Sequence, residues 1–567
     1  MQTRIKTDLQ EMIVRDRNHA GIVMWEIFNE IHRQALKRLR HPMAMAARDL
    51  DESRMVLDES GGFFDGASVY LPGERTPCVI ADVHFYPGAP VFDETYNQLL
   101  ALGKTREEMD RVGLKKGTNT ESLIVPDVLT NITELGYGSS PDLEAVMDTY
   151  AGKCNPITPD YRIHKRLYDS YQKVLRETEV LKEFGSLKAY CLAEQARHAA
   201  ANKDMLEAAR VNPQVGGIGI HAFVDGDWVV GAGMLDIHRR PKKAYEVMKQ
   251  AFTPVYTTVR AQKRNYYAHE QPALTCHVVN DGPLRRDILR LKVFNEQGAK
   301  VFEHQQWAEA GETAVQLAPV SLGALPCGKY RAQASWGGAE NESFFRVYAP
   351  RHCIRQTVAI YEPAGALRPL LEREGIAWRE ASDDSRVIYT LGPLTPQDGA
   401  RLARWAEKGA TVAVLQLPEG GKREADELIL PEGLLPFPLR TIESFGYWTP
   451  NNHIVRKGHP LFAHLPWGMM DEDYQNISPR RSVRGQGHDW IVGMIGFGWW
   501  QDQMDKQNYT GVSEAFDAAD VFFKSYGKGR YLLSTLRLAT ALGRDPIADQ
   551  ILLNLISWLE GARADAN

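Results

Sequence analysis

Two changes of hydrophobic period divide this chain and restrict it to a few architectures. From residue 1 to about 255, short apolar runs at Gly21 to Phe28, Arg54 to Leu57, Cys78 to His84, Val128 to Thr133 and Gly217 to Phe223 alternate with helical stretches such as Arg166 to Phe184 and Lys203 to Arg210. Runs of that length between amphipathic helices are the pattern of parallel strands joined by crossovers. From 256 to about 350 the period shortens to two, as in Leu274 to Val279, Leu289 to Phe294 and Tyr330 to Ala334, with turn residues such as Asn280-Asp281-Gly282-Pro283 between runs. That alternation predicts an antiparallel β-sandwich. From Val358 the α/β pattern returns, with strands at Val358 to Tyr361, Val387 to Leu391 and Thr411 to Leu417, helices around Leu367 to Glu374 and Gln397 to Lys408, and a closing helix at Asp545 to Leu559. Pro254 and Pro350 punctuate the two changes. The reading is of three domains, 1–255, 256–350 and 351–567, within the three to four that a prior of ~150 residues per domain gives for this length.

Composition removes several functional classes. Lys+Arg 67 against Asp+Glu 72 leaves a net charge of -5, so the basic footprint of a nucleic-acid partner is missing. No apolar stretch approaches the ~20 residues of a membrane-spanning helix. The six cysteines stand singly, without CxxC, and read as free, mostly buried thiols rather than zinc ligands or a disulfide framework. The sequence has no HExxH, GxSxG, Walker loop or complete GxGxxG, and no metal or cofactor is expected. The N-terminus has no apolar h-region, so no signal peptide is visible. The expectation is a soluble protein of a bacterial cytoplasm or periplasm.

The sharpest local feature runs from Asp16-Arg17-Asn18-His19 through the apolar strand Ile22-Val23-Met24-Trp25 to Asn29-Glu30. An Asn-Glu pair after a strand is often only the start of a solvated helix. In an α/β barrel, however, polar residues at the carboxyl end of a strand face the active site. This run resembles the acid/base strand of glycoside hydrolase family 2, whose pattern reads roughly RDRNHPS-IMWS-GNE, with Ala20 where the family has proline. Further matches follow in family order: Asp51 to Gly62 resembles the next strand, and Asp82-Val83-His84-Phe85-Tyr86-Pro87 the sixth. Asn131 to Ser139, with Glu134, resembles the seventh. Gly216 to Asp225, then Gly233 to Asp236 and Arg239 to Tyr245, resembles the eighth strand and the exit from the barrel.

The resemblance implies part of a (β/α)8 barrel, strands four to eight, followed by an immunoglobulin-like sandwich. It implies Glu30 as general acid/base and Glu134 as nucleophile of a retaining exo-β-glycosidase, with β-galactosides as the expected substrates. Breaking a glycosidic bond through an oxocarbenium-like state needs an acid for the leaving oxygen and a carboxylate beneath the anomeric carbon, ~5 Å apart when configuration is retained. Asn29 is expected on the sugar 2-hydroxyl, and His84 and Tyr86 on the sugar and Glu134, against the plainer readings of a core histidine and a packing aromatic. Trp25 is assigned to barrel packing. Where the family commonly has an aromatic platform, this chain has His221 and Phe223, with Trp228 a few residues on, either platform or loop anchor. A glucuronidase Asn-x-Lys element is not found.

The family's leading domains and first three barrel strands do not precede this start. The chain is therefore read first as a fragment of a longer product, otherwise as half of a split enzyme or as a natural truncation. An inert truncated relative that binds carbohydrate or serves assembly is the alternative function. The final α/β region resembles flavodoxin-like, class I glutamine amidotransferase-like modules, but no cysteine stands after Thr411 to Leu417. It is read as non-catalytic, a module for assembly or sugar contact through which the chain forms a homo-oligomer.

Overall fold

The computed structural model describes residues 2–114, 122–136, 138–152, 158–226, 231–363, 365–424, 427–443, 451–499 and 512–561. The chain divides into two compact units. One comprises Met1–Pro87, Asp93–Tyr137 and Asn202–Phe223, the other Gly88–Phe92, Gly138–Ala201 and Val224–Asn567. No helix among the described residues is long and apolar enough to cross a membrane.

The first unit is built on a six-stranded sheet in chain order: β1 (Met24–Glu26), β2 (Met55–Leu57), β3 (Ala67–Tyr70), β4 (Cys78–Phe85), β5 (Thr130–Leu135) and β6 (Val215–Ile220). The five expected strands are β1, β2, β4, β5 and β6. Strand β3 was not anticipated; it runs antiparallel to both β2 and β4 and makes the sheet mixed rather than wholly parallel. The reversal follows Ser60-Gly61-Gly62, and Asp58 closes it by accepting the Ser68 N–H at 2.8 Å. β1 and β6 are the two edges among the described residues, so the sheet is open. In β4 the last six residues are buried on both faces, which explains its unbroken apolar run. Helix Arg40–Leu50 is tied down by Arg48, fully buried, whose guanidinium donates to the carbonyls of Arg54, Tyr70 and Leu71. Trp25 packs in the core with Ile13, Met43 and Val56, the role its sequence position suggested.

In the second unit, strands β7 (Val255–Ala261), β8 (Asn265–Tyr267), β9 (Ala273–Asn280), β10 (Arg285–Asn295), β11 (Lys300–Ala310), β12 (Thr313–Gln316), β13 (Val320–Ser321), β14 (Gly328–Trp336) and β15 (Ala339–Tyr348) form two sheets. One has the order β11-β10-β14-β15-β8; in the other β9 pairs with β7, β12 and β13. Alternate residues such as Leu289, Leu291, Val293, Val278 and Phe345 fill one core around the buried Trp336. The β14–β15 hairpin turns on Gly337-Gly338 at φ 59° and 91°, the double positive φ that a two-residue type I′ turn demands.

Beyond the sandwich, β16 (Val358–Ile360), β17 (Trp378–Glu380), β18 (Val387–Thr390), β19 (Thr411–Val414) and strand Gly529–Ser534 are parallel in the spatial order 2-1-3-4-5, and strand Val512–Tyr526 continues the sheet antiparallel. Helix Pro396–Lys408 begins with a Thr395/Asp398 capping box and a first-turn proline and ends at Gly409 with φ 119°. Helix Pro159–Glu177, read from sequence together with residues 1–255, shares a core with this sheet: Leu167 and Tyr171 pack with Val412, Ile454 and Phe522. Of the described cysteines, only Cys191 and Cys276 are buried. Cys78, Cys327 and Cys353 are exposed, contrary to the expectation of mostly buried thiols.

Candidate active site

The expected carboxylates meet at one end of the first unit's sheet. Asn29 and Glu30 follow β1, where Asn29 makes an isolated parallel bridge with Ser60 and the Glu30 N–H donates to the Ser60 carbonyl. Glu30 itself has φ 46°, in the left-handed region that a residue other than glycine adopts only when its surroundings impose it. The Ser60 hydroxyl donates to Asn29 Oδ1 at 2.6 Å and so fixes the amide.

His84 and Glu134 lie opposite each other on β4 and β5. The parallel register slips between Val83 and His84, so that Val83 faces Ile132 while His84 faces Glu134. Such bulges re-aim side chains beside functional sites. The His84 ring is buried, with Nδ1 2.5 Å from Glu30 Oε1 and Nε2 3.6 Å from Glu134 Oε1. Tyr86, just past β4, donates its hydroxyl proton to Glu134 Oε2. His221, just past β6, brings Nε2 to 3.9 Å from the same oxygen and its ring edge-on to Tyr86. One oxygen of Glu30 and one of Glu134 lie within 4.8 Å of each other. Among the described residues, Glu30, His84 and Glu134 bring one donor atom each close enough to share a cation.

The electrostatics differ from group to group. Burial pushes His84 down, but the hydrogen bond to Glu30 and the charges of Glu134, Glu30 and Asp82 outweigh it, and its pKa lies above the ordinary value. For His221 burial wins and the ring is held below its usual pKa. Asp82, beneath the site on β4, accepts from the Gly61 N–H and the Thr133 hydroxyl, both at 2.6 Å. Burial nevertheless pushes it up to about 7.

Of the residues singled out in the sequence, Asn29, Glu30, His84, Tyr86, Glu134 and His221 thus converge. Phe223 is 58% exposed. Trp228 lies outside the described residues. Sequence reasoning missed Ser60, Asp82, Thr133 and Phe63, whose ring lies 6.0 Å from that of His84. Asp82 stood inside a quoted motif, but only the pleat of β4 shows that it faces the same interior as His84.

Residues 2–85, which hold β1 to β4 with Glu30 and His84, match the family described as "Glycosyl hydrolases family 2, TIM barrel domain". The match supports the family resemblance over that stretch. No curated protein matches the chain. Among solved structures the chain is similar to a β-D-mannosidase from Dictyoglomus thermophilum, at 16% identity over 61% of this chain and 40% of the other, with a TM-score of 0.41. It is also similar to an exo-chitosanase from Amycolatopsis orientalis, at 12% identity over 61% and 39%, TM-score 0.36. A third is a β-glucuronidase from Parabacteroides merdae, at 9% identity over 88% and 50%, TM-score 0.27. The chain spans about two fifths of the length of the first of these.

Proposed function

We propose that the chain carries the catalytic end of a retaining exo-β-glycosidase, with Glu30 as general acid/base, Glu134 as nucleophile and terminal β-galactosides as substrate. The observation that carries this reading is the spacing of the two carboxylates, within 4.8 Å. It suits direct attack on the anomeric carbon and falls short of the ~6.5–9.5 Å that an inverting enzyme needs for an intervening water. Glu134 attacks C1 while Glu30 protonates the departing oxygen; water, deprotonated by Glu30, then releases the sugar from Glu134. Asn29, with its amide oxygen occupied by Ser60, is left with its NH2 for the 2-hydroxyl. Residues 1–255 are read as the later part of the barrel domain and 256–350 as the sandwich. Residues 351–567 are read as a flavodoxin-like, amidotransferase-like module, supported by the 2-1-3-4-5 strand order. Its β19 runs into Leu415-Gln416-Leu417-Pro418, which offers no nucleophile.

A second reading, carbohydrate binding without turnover, is favoured by the open edge at β1, beside which Asn29 is exposed. The two are separated by assaying the chain, Glu30→Gln and Glu134→Gln on 4-nitrophenyl β-glycosides of galactose, mannose, arabinose and the uronic acids. Turnover of one sugar is expected, lost about 10²- to 10⁴-fold in Glu30→Gln and abolished in Glu134→Gln. A folded chain that turns over none of them, or turnover indifferent to both changes, overturns the glycosidase reading.

A further inference from the structure

Phe64 is a large apolar side chain that the fold holds in an unfavourable backbone conformation and still leaves 40% exposed. Its φ of 65° lies in the left-handed region, where a Cβ crowds the following carbonyl. Core burial is not what this conformation secures, because the neighbouring Phe63, 4% exposed, already fills the interior. The loop is instead pinned on both sides of Phe64. The buried Lys37 donates its ammonium protons to the Phe63 carbonyl, to Asp65 Oδ1 and, at 3.1 Å, to Glu59 Oε2. The Asp65 N–H donates to the Phe63 carbonyl at 2.8 Å, and the Gly66 N–H to the Gly62 carbonyl at 3.2 Å. Glu59 Oε1 also accepts the N–H of Ile31, the residue after Glu30, at 2.9 Å. One carboxylate thus anchors both the segment that carries Glu30 and the loop that presents Phe64. Backbone strain that its surroundings impose in this way gathers at ligand contacts.

The rings around Phe64 lead back to the carboxylates. Phe64 meets Phe63 edge-on with centroids 6.2 Å apart, and Phe63 meets His84 edge-on at 6.0 Å. His32, exposed and two residues after Glu30, stands edge-on to Phe63 at 5.0 Å and to Phe64 at 6.3 Å. Tyr86 and His221, by contrast, gather at Glu134. The site therefore has two sides, and this matters because the departing oxygen must sit at the acid/base: whatever group it carries passes the residues beside Glu30. We infer that Phe64 and His32 form an aromatic wall for the leaving group, and that the chain selects β-glycosides whose leaving group presents a flat apolar face. This rests on the glycosidase reading, with Glu30 as the acid. Two leaving groups offer such a face, an aryl ring and the C–H face of a second sugar, and a ring edge or face packs on either. A short alkyl group has no face to present and gains nothing from the wall. Phe64 is thus a specificity-determining residue, and it acts on the leaving group before the bond to C1 breaks.

Two measurements on the full chain test this, with Phe64→Leu, which keeps an apolar group without a flat face, and Phe64→Tyr, which keeps the ring. In kinetics on phenyl β-galactoside, the β-galactosyl-glucose disaccharide and methyl β-galactoside, Phe64→Leu should lose roughly 3- to 10-fold in kcat/KM on a flat leaving group and keep its value on the methyl glycoside, and Phe64→Tyr should restore the loss. A loss confined to the phenyl glycoside identifies an aryl leaving group, and one shared by the disaccharide a sugar. Equal losses on all three substrates mark a packing role and overturn the proposal, as does no loss on any. If wild type turns over none of them, the glycosidase reading fails, and the wall is decided by magnetisation transfer from the protein to the ring protons of phenyl β-galactoside. Transfer seen with wild type and Phe64→Tyr but lost in Phe64→Leu supports it. Transfer that is absent from wild type, or equal in all three chains, overturns it.

Discussion

At the scale of single residues, the site depends on how each group around Glu134 is held. The Tyr86 hydroxyl donates to Glu134 and fixes the oxygen that His221 also approaches. A hydrogen bond to a charged acceptor contributes about 1.5–3 kcal/mol. Tyr86→Phe should therefore lower kcat roughly 10- to 100-fold at unchanged fold, a loss read directly from aryl-glycoside kinetics. Asp82 gives a prediction about stability instead. Its folded-state pKa of about 7 stands above the ordinary 3.8, so the native chain binds its proton more tightly than the unfolded chain. That stabilisation is complete below about pH 4 and is lost as pH rises through 7. Urea titrations should show Asp82→Asn losing less stability than wild type between pH 4 and 7, by on the order of a few kcal/mol. An identical slope for both proteins would show that the carboxyl ionises as freely when folded. Asn29, Glu30 and Glu134 were legible at this scale because the motif carries them. Ser60 and Asp82 were not, because a serine or an aspartate acquires a role only from the side chain it meets.

At the scale of elements, the approach of β5 to the end of β6 is the tightest constraint on the site. A Cβ at Gly136 would lie 2.2 Å from the His221 carbonyl oxygen, so no side chain fits without moving the two strand ends apart. Gly136→Ala should destabilise the chain by roughly 1–3 kcal/mol, as overpacking does, and displace His221 from Glu134. Denaturation and kcat measured on the same preparation check both effects; unchanged values would mean that the strand ends separate freely. The strands of the first unit's sheet were readable from their apolar runs. The exception, β3, is only four residues long and is set by the reversal at Gly61-Gly62 and by Asp58 rather than by a distinctive period of its own.

At the scale of the whole molecule, helix Pro159–Glu177 and the strands around Val412 and Phe522 share one core in the second unit. Phe522 is almost fully buried there, and Phe522→Ala should cost about 3–5 kcal/mol. Hydrogen exchange should show protection falling together in that helix and in β18 and β19. Protection lost in the strands alone would mean that the helix is held by something else. The sequence by itself determined the apolar runs that became β1, β2, β4, β5 and β6, where the period changes, and which residues carry a glycosidase-like pattern, because periodicity and motif are local properties of the chain. Only the tertiary structure decided that β3 enters the sheet, that the apolar stripe of Ile163, Leu167, Tyr171 and Val174 packs on the C-terminal strands, and that His84 bridges Glu30 and Glu134. An apolar face states that it must be buried but not against what, and the reach of one side chain to two others is set by strand register across more than fifty residues of sequence.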